Sequence, residues 1–273
     1  MKELVEKSIY ILREAKAQFQ NPCICFSGGK DSTVLLYLSR QAFFGRIPFE
    51  VVFVDTNWQF PETYDFIRFL QKAWNFKLVV ARYPKILDPR KVGHEKCCYC
   101  MKTLALKSII EKRKYDAVIT SIRRDEHYIR NLERVFSPRD RNFRWQLLRP
   151  KKEDATGDSP FESLQPVELW NIYRGDFENV HHVRVHPLLH WTELDIWKYI
   201  QKESIPVNPL YFSRDGYRYR SIGCRLCTAP VRSDARTVDE IIKELEKTRI
   251  TERAGRIQDK ENLMRQLRAM GYF

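Results

Sequence analysis

The run Ser27-Gly28-Gly29-Lys30-Asp31-Ser32 constrains this chain more than any other stretch. Before it stands the short apolar segment Cys23-Ile24-Cys25-Phe26, which reads as a buried parallel strand. After it, Ser32-Thr33-Val34-Leu35-Leu36-Tyr37-Leu38 reads as a helix packed on a sheet. Two glycines at such a corner let the backbone turn tightly and point several N–H groups outward. Those donors and the positive helix end make an anion site, with phosphate as the expected occupant. Lys30 adds a mobile charge, and Ser27 and Ser32 add hydroxyls. The spacing differs from the Gly-x4-Gly-Lys-Ser/Thr phosphate loop. The expectation is a nucleotide-binding enzyme.

Residues 1–20 carry apolar positions at helical spacing, a leading amphipathic helix. Residues 49–54 predict a second strand ending at Asp55-Thr56, and residues 61–74 a helix with Pro61 at its first position. A third strand over 77–81, a helix over 101–113 and a strand over 117–120 follow. Strands alternating with helices predict an α/β fold with a doubly wound parallel sheet. Such sheets bind ligands beyond the carboxyl ends of their strands, so loops 27–32, 55–61 and 121–126 are predicted to line one site. Residues 150–166 are polar and turn-rich, as in a mobile surface loop. Val183-Arg184-Val185 reads as a strand, and Thr192 with Asp195 approximates a capping box ahead of a helix. A further amphipathic helix is expected over 237–249. Tyr217-Arg218-Tyr219-Arg220 interleaves aromatics with cations, which suits a surface hairpin or a base-stacking platform. The expected organisation is a nucleotide-binding domain over 1–200 and a helical C-terminal extension over 201–273.

With 48 basic and 35 acidic residues the formal charge is +13, which favours anionic partners such as nucleotides, oxyanions or nucleic acid. No apolar run approaches a membrane span, and Met1-Lys2-Glu3-Leu4 does not open a signal peptide, so a cytoplasmic protein with no membrane partner is expected. In that compartment seven cysteines point to metal or redox chemistry and away from a disulfide framework. Cys23 and Cys25 fall in the first strand as small buried hydrophobes. The other five are grouped.

The loop at 27–32 resembles the PP-loop of ATP pyrophosphatases, which cleave ATP between its α and β phosphates. Further segments extend the likeness: Val54-Asp55-Thr56-Asn57-Trp58-Gln59-Phe60, Arg123-Arg124-Asp125-Glu126, Phe136-Ser137-Pro138-Arg139-Asp140-Arg141, Pro187 through Trp197, and the tail Thr251-Glu252-Arg253-Ala254-Gly255-Arg256 with Met270-Gly271-Tyr272-Phe273. Together they resemble the phosphoadenosine-phosphosulfate reductase superfamily, and within it the small subunits of sulfate adenylyltransferase. The resemblance implies that ATP and Mg²⁺ are bound by Ser27, Gly28, Gly29, Lys30, Asp31 and Ser32, with Asp55 near the nucleotide. It also implies that Lys30, Asp31, Arg123, Arg124 and Asp125 do the chemistry, the arginines facing phosphates or the acceptor oxyanion. His190 and Trp191 either reach the site or close the core, and Trp197 is expected in the core.

The cysteines depart from that pattern. Cys97-Cys98-Tyr99-Cys100 stands where the adenylyltransferase subunits have no cysteine, and Cys224-Arg225-Leu226-Cys227 forms a second group. A Cys-Cys pair with a distant Cys-x-x-Cys is similar to the 4Fe–4S ligand set of adenosine-phosphosulfate reductases, which makes Cys97, Cys98, Cys224 and Cys227 the expected metal ligands. Adjacent cysteines on one metal are unusual for structural Zn²⁺, so the cluster is preferred. Cys100 is then a spare thiol. No cysteine follows Cys227, which argues against a reductase mechanism with a C-terminal thiol nucleophile unless Cys100 substitutes.

The preferred expectation is an iron–sulfur ATP pyrophosphatase of DNA phosphorothioation. ATP adenylates an oxygen of the DNA backbone, pyrophosphate leaves, and sulfide or persulfide from a donor such as a cysteine desulfurase displaces AMP. The alternatives are sulfate adenylyltransferase, which implies a GTPase partner subunit, and a reductase-like enzyme. A non-catalytic ATP-dependent binding subunit is the reading from another class. A homodimer is compatible with the sequence.

Overall fold

Strand β1 (Pro22–Cys25) lies in the middle of a six-stranded sheet because its side chains are apolar on both faces, Cys23 and Ile24 being fully buried. The structure is a computed structural model that describes residues 1–126, 130, 133–144, 180–248 and 252–253. Helix α1 (Lys2–Gln18) precedes β1, and α2 (Lys30–Ala42) follows it directly. The chain continues through β2 (Glu50–Val54), α3 (Pro61–Trp74) and β3 (Leu78–Ala81). Short helices α4 (Pro89–Val92) and α5 (His94–Cys98), a π-helical turn over Tyr99–Leu104 and α6 (Ala105–Arg113) lead to β4 (Ala117–Ile119). After β5 (Phe136–Arg139) and β6 (His182–Val185) come α7 (Glu193–Glu203), the two-residue strands β7 (Tyr217–Arg218) and β8 (Val231–Arg232), and α8 (Val238–Lys247).

The sheet order is β3-β2-β1-β4-β6-β5, parallel throughout except for the β5–β6 pair. The chain leaves β1 toward β2 and β3 on one side and returns to β4 on the other. The crevice between the carboxyl ends of β1 and β4 is therefore the switch point where doubly wound sheets bind ligands. Helices cover both faces over two apolar clusters, one around Ile24, Val51, Ile119 and Val185, the other around Cys23, Val52 and Val118. Each such aliphatic side chain stabilises the fold by roughly 1.5–3 kcal/mol. Tyr211, Ile222 and Ile241, from beyond residue 200, belong to the first cluster. No helix among the described residues is long and apolar enough to cross a membrane.

Most predicted elements appear within a few residues of their expected bounds, and the Thr192–Asp195 capping box is formed in full. The expected helix over 101–113 is regular only from Ala105, because the turn before it is π-wound. Strand β5 was not anticipated from Phe-Ser-Pro-Arg, since proline removes a ladder donor. Pro138 is tolerated because β5 is the edge strand. Tyr217-Arg218 pairs antiparallel with β8 across the long connection 219–230, and not as a tight surface hairpin. Arg218 is buried and bonds Glu244 at 2.6 Å, and Tyr219 stacks on Phe60 at 4.8 Å, which removes two members of a base-stacking platform. The loop expected at 150–166 lies outside the described residues.

Candidate active site

The 27–32 corner is built as its sequence requires. Gly28 takes φ +74°, and a Cβ there would stand 3.0 Å from Thr63 Cγ2 on α3, so both backbone and packing demand glycine. Gly29 caps α2, its carbonyl accepting from the Ser32 hydroxyl at 3.0 Å and from Thr33 N at 3.0 Å. The Ser27 N–H donates to Ser32 Oγ at 3.2 Å, and the two hydroxyls are 3.1 Å apart. Both serines thus brace the loop while lining the adjacent cavity. The Lys30 amide is already engaged: it donates to the Tyr211 hydroxyl at 2.8 Å.

Lys30 and Arg123 converge at the switch point, Lys30 from the first turn of α2 and Arg123 from the loop after β4. Both side chains are 0 % exposed. The Glu252 carboxylate bridges them, one oxygen on Lys30 Nζ and the other on Arg123 Nη2. Asp31 also takes a bond from Arg123 and lies 3.2 Å from Lys30. Arg123 Nε donates to Asp125 at 2.9 Å, and the other oxygen of Asp125 accepts the Glu193 amide of α7 at 2.7 Å. Asp125 therefore ties the arginine to the positive end of a helix.

Glu126 pairs with Arg130 and lies 3.7 Å from Arg253. Burial would raise its pKa, but Arg130, Arg253 and Arg123 outweigh that and hold it at about 2. Burial likewise opposes ionisation of Glu252, and Arg123 and Lys30 reverse it, leaving its pKa well below the usual carboxylate range. The carboxylates of Asp31, Glu126 and Glu252 lie within 4.8 Å of one another, a hard-oxygen set of the kind Mg²⁺ takes.

Beside these charges a cavity of about 210 Å³ opens, with Phe26, Val52, Val54, Ile122 and Ile222 as its apolar wall. Asp31, Glu126, Arg130, Tyr211 and Arg253 supply polar groups. Such a wall suits a flat heterocycle, and the polar end suits an anion.

Two of the expected site residues have their side chains in other contacts. Asp55 does not line this cavity: its carboxylate accepts Tyr64 Oη at 2.6 Å, Arg82 Nε at 2.8 Å and Asn57 N at 2.8 Å, which locks the loop after β2. Arg124 turns away from Arg123, donating to the Glu133 carbonyl at 3.1 Å, with His190 Nδ1 3.5 Å off. Arg123 lies in the loop after β4 and Arg124 opens a single 3-10 turn, and their guanidinium groups take different partners. Trp191 is in the core and bonds Ser8 Oγ at 2.9 Å, and Trp197 is fully buried.

The cysteines meet where α5 faces the 224–227 turn, which closes through Cys227 N to Cys224 O at 2.9 Å. All four predicted ligands are buried. Cys227 interacts with Cys224 and Cys98 and lies 3.4 Å from His94 Nδ1, a donor the sequence reading missed. Those two thiols and burial drive its pKa far up. Burial first, then Cys98 and Cys224, raise Cys97 to about 11, and its thiol reaches the Leu87 carbonyl at 3.6 Å. Thiols are the donors a thiophilic metal takes, although no three of these sulfurs lie within 4.8 Å of one another. Cys100 interacts with Tyr83. Cys224 and Cys25 both line this cavity, so the thiol group borders it and Cys25 is only half-buried.

Known proteins resemble this chain in sequence and in fold. Residues 21–230 match the phosphoadenosine phosphosulfate reductase domain. Over its full length the chain is 39 % identical to sulfate adenylyltransferase subunit 2 of Colwellia psychrerythraea, covering 98 % of that protein. It is 36 % identical to sulfate adenylyltransferase subunit 2 of Pseudomonas putida, again over 100 % of this chain and 98 % of the relative. Among solved structures, the Candida auris phosphoadenylyl-sulfate reductase in a phosphate complex superposes with TM-score 0.54 at 18 % identity, covering 82 % of this chain and 90 % of that one. Candida glabrata FMN adenylyltransferase with FMN and an ATP analogue gives TM-score 0.57 at 17 % identity over 97 % of this chain and 81 % of that one. These two show the shared fold.

Proposed function

The chain belongs to the phosphoadenosine phosphosulfate reductase domain family, and on that premise we propose that it adenylates sulfate, releasing pyrophosphate from ATP. It is an ATP-utilising, adenylyl-transferring enzyme. The observation that carries the finer reading is the convergence of two fully buried cations, Lys30 and Arg123, on the N-terminus of α2 at the sheet's switch point.

In this reading the apolar wall takes the adenine and the α2 terminus with Lys30 and Arg123 takes the β and γ phosphates. A sulfate oxygen attacks the α-phosphorus, and the bond to pyrophosphate breaks. Lys30 and Arg123 neutralise charge on the leaving group, so catalysis is positioning and electrostatics. Asp31 and Glu126 would hold Mg²⁺, which supplies further charge neutralisation on the phosphates. Arg130 and Arg253, on the same cavity wall, are placed for the acceptor oxyanion.

The anhydride formed is uphill, so the reaction is coupled to a partner subunit that hydrolyses GTP. The relatives' name, subunit 2, supports an assembly with a second chain. The relatives favour this reading over the DNA phosphorothioation that the sequence first suggested. What still favours sulfur insertion is the thiol group at the cavity wall, proposed here to hold a 4Fe–4S cluster on Cys97, Cys98, Cys224 and Cys227.

The test is pyrophosphate release by anaerobically purified protein with ATP and Mg²⁺, with sulfate or DNA added and the GTPase subunit present or absent. Stimulation by sulfate with AMP-sulfate formed is expected. Stimulation by DNA alone would replace this reading with sulfur insertion. Lys30→Ala is expected to abolish release while the far-ultraviolet circular dichroism is unchanged.

A further inference from the structure

We propose that Glu252 is a resident competitor for the phosphate seat, which an incoming triphosphate must expel before Lys30 and Arg123 can bind it. The proposal rests on the adenylyl-transfer reading and adds a control element to the same site. Its basis is the two-point contact: each Glu252 oxygen takes one of the two buried cations, Lys30 Nζ and Arg123 Nη2. A carboxylate spanning two donors occupies them as the edge of a phosphoryl group would. The three residues are far apart in sequence, 222 positions from Lys30 to Glu252 and 129 from Arg123, so this is a tertiary contact and not a local pairing.

Two further observations point the same way. Neither Lys30 nor Arg123 lines the adjoining cavity, although Asp31, Glu126 and Arg253 do, so with Glu252 in place the loop lysine is turned to protein and not to ligand space. Glu252 also stands within 4.8 Å of Asp31 and Glu126 carboxylate oxygens. Adding a triphosphate of about four negative charges beside three clustered carboxylates is strongly unfavourable, and withdrawing Glu252 removes one of them and frees two cations at once. The apparent affinity for ATP is then the intrinsic affinity multiplied by the fraction of molecules in which Glu252 has left its seat. Neighbouring Arg253, held near Glu126, has to shift with Glu252.

The experiment measures ATP and inorganic pyrophosphate binding by calorimetry for wild type, Glu252→Gln and Lys30→Ala. The expected result is binding about tenfold tighter in Glu252→Gln, since a neutral amide competes less well for two cations. Unchanged or weaker binding overturns the proposal, weaker binding being the sign that Glu252 supports the ligand or its metal. Wild-type protein alone gives a second readout: trypsin cleavage after Arg253 is expected to accelerate with pyrophosphate, and unchanged cleavage or protection overturns the proposal even if the variant fails to fold. Lys30→Ala separates the two ideas, because normal binding by that variant removes the phosphate-loop reading itself, whatever Glu252 does.

Discussion

The hydroxyl of Tyr211 accepts the backbone amide of Lys30 at 2.8 Å, so the first free donor of α2 is held by a side chain 181 residues further on. Both groups are buried, and the tyrosine also lines the cavity. Tyr211→Phe leaves a buried N–H unsatisfied, which costs about 1–3 kcal/mol. A bound phosphate can accept that same N–H. The variant is therefore expected to melt several degrees lower than wild type without ligand, and the gap is expected to narrow with saturating ATP. A constant gap by differential scanning fluorimetry would show that the amide never reaches the nucleotide.

Asp125 acts through Arg123 by linking its Nε to the amide end of α7. Asp125→Ala releases the guanidinium from one of its fixed partners, and misplacement of a charge-stabilising group by about 1 Å costs on the order of 100-fold in rate. The expected effect is a fall in kcat with a small change in KM for ATP. Glu193→Ala should give a smaller loss, because the contact uses the Glu193 backbone. Equal losses in kcat would place Asp125 outside this positioning role.

Stability should fall with acid in two windows. His182 and His186 are buried and kept neutral, at about 2 and about 3. Burial comes first in both; Arg184 adds to it at His182, and at His186 Glu133 opposes while Arg139 and Arg184 assist. Their folded-state values lie below the unfolded value of about 6.5, so the unfolded chain binds protons first. Stability present above pH 6.5 is lost as pH falls toward 3. Glu126, held low by Arg130, Arg253 and Arg123 against its burial, adds a second loss as pH falls below the ordinary carboxylate range. Urea unfolding at pH 7, 5 and 3.5 checks this: His186→Gln should flatten the upper window and Glu126→Gln the lower one. A flat profile for wild type between pH 7 and 5 would contradict the burial of neutral imidazoles.

Much of the sheet and the phosphate corner was legible because their signals are local. An apolar run, two glycines and a lysine report on neighbours a few residues away, and Pro61 and Thr192 mark helix starts by the same short-range logic. The groups that complete the site are not local. Tyr211 reads in sequence as one aromatic among many, and Glu252, although inside the tail that carries the resemblance, has no local signal for a bond to Lys30 and Arg123. Arg123 and Arg124 look equivalent as a pair, and only the tertiary fold shows that one meets Glu252 and the other braces Glu133. Asp55 has partners that its sequence neighbours do not announce. Its position at a strand end was right, but Tyr64 and Arg82 claim its carboxylate.

The thiol group gives the last prediction. Cys98 comes from α5 and Cys224 and Cys227 from a turn more than a hundred residues later, and Cys97 adds a fourth sulfur one position from Cys98. Protein purified without oxygen is expected to be brown, with iron and acid-labile sulfide in equal amounts, and Cys224→Ala is expected to bleach it. His94 offers a hydrogen-bonding nitrogen 3.4 Å from Cys227 Sγ, and such bonds tune cluster potentials. His94→Ala should therefore keep its iron while its reduction potential shifts. If His94→Ala instead loses the metal, His94 is a ligand; if the metal is zinc without sulfide, the site is a structural clamp beside the cavity wall. A colourless wild type free of both metals would remove the thiols from the chemistry altogether and leave them as core packing between α5 and the 224–227 turn.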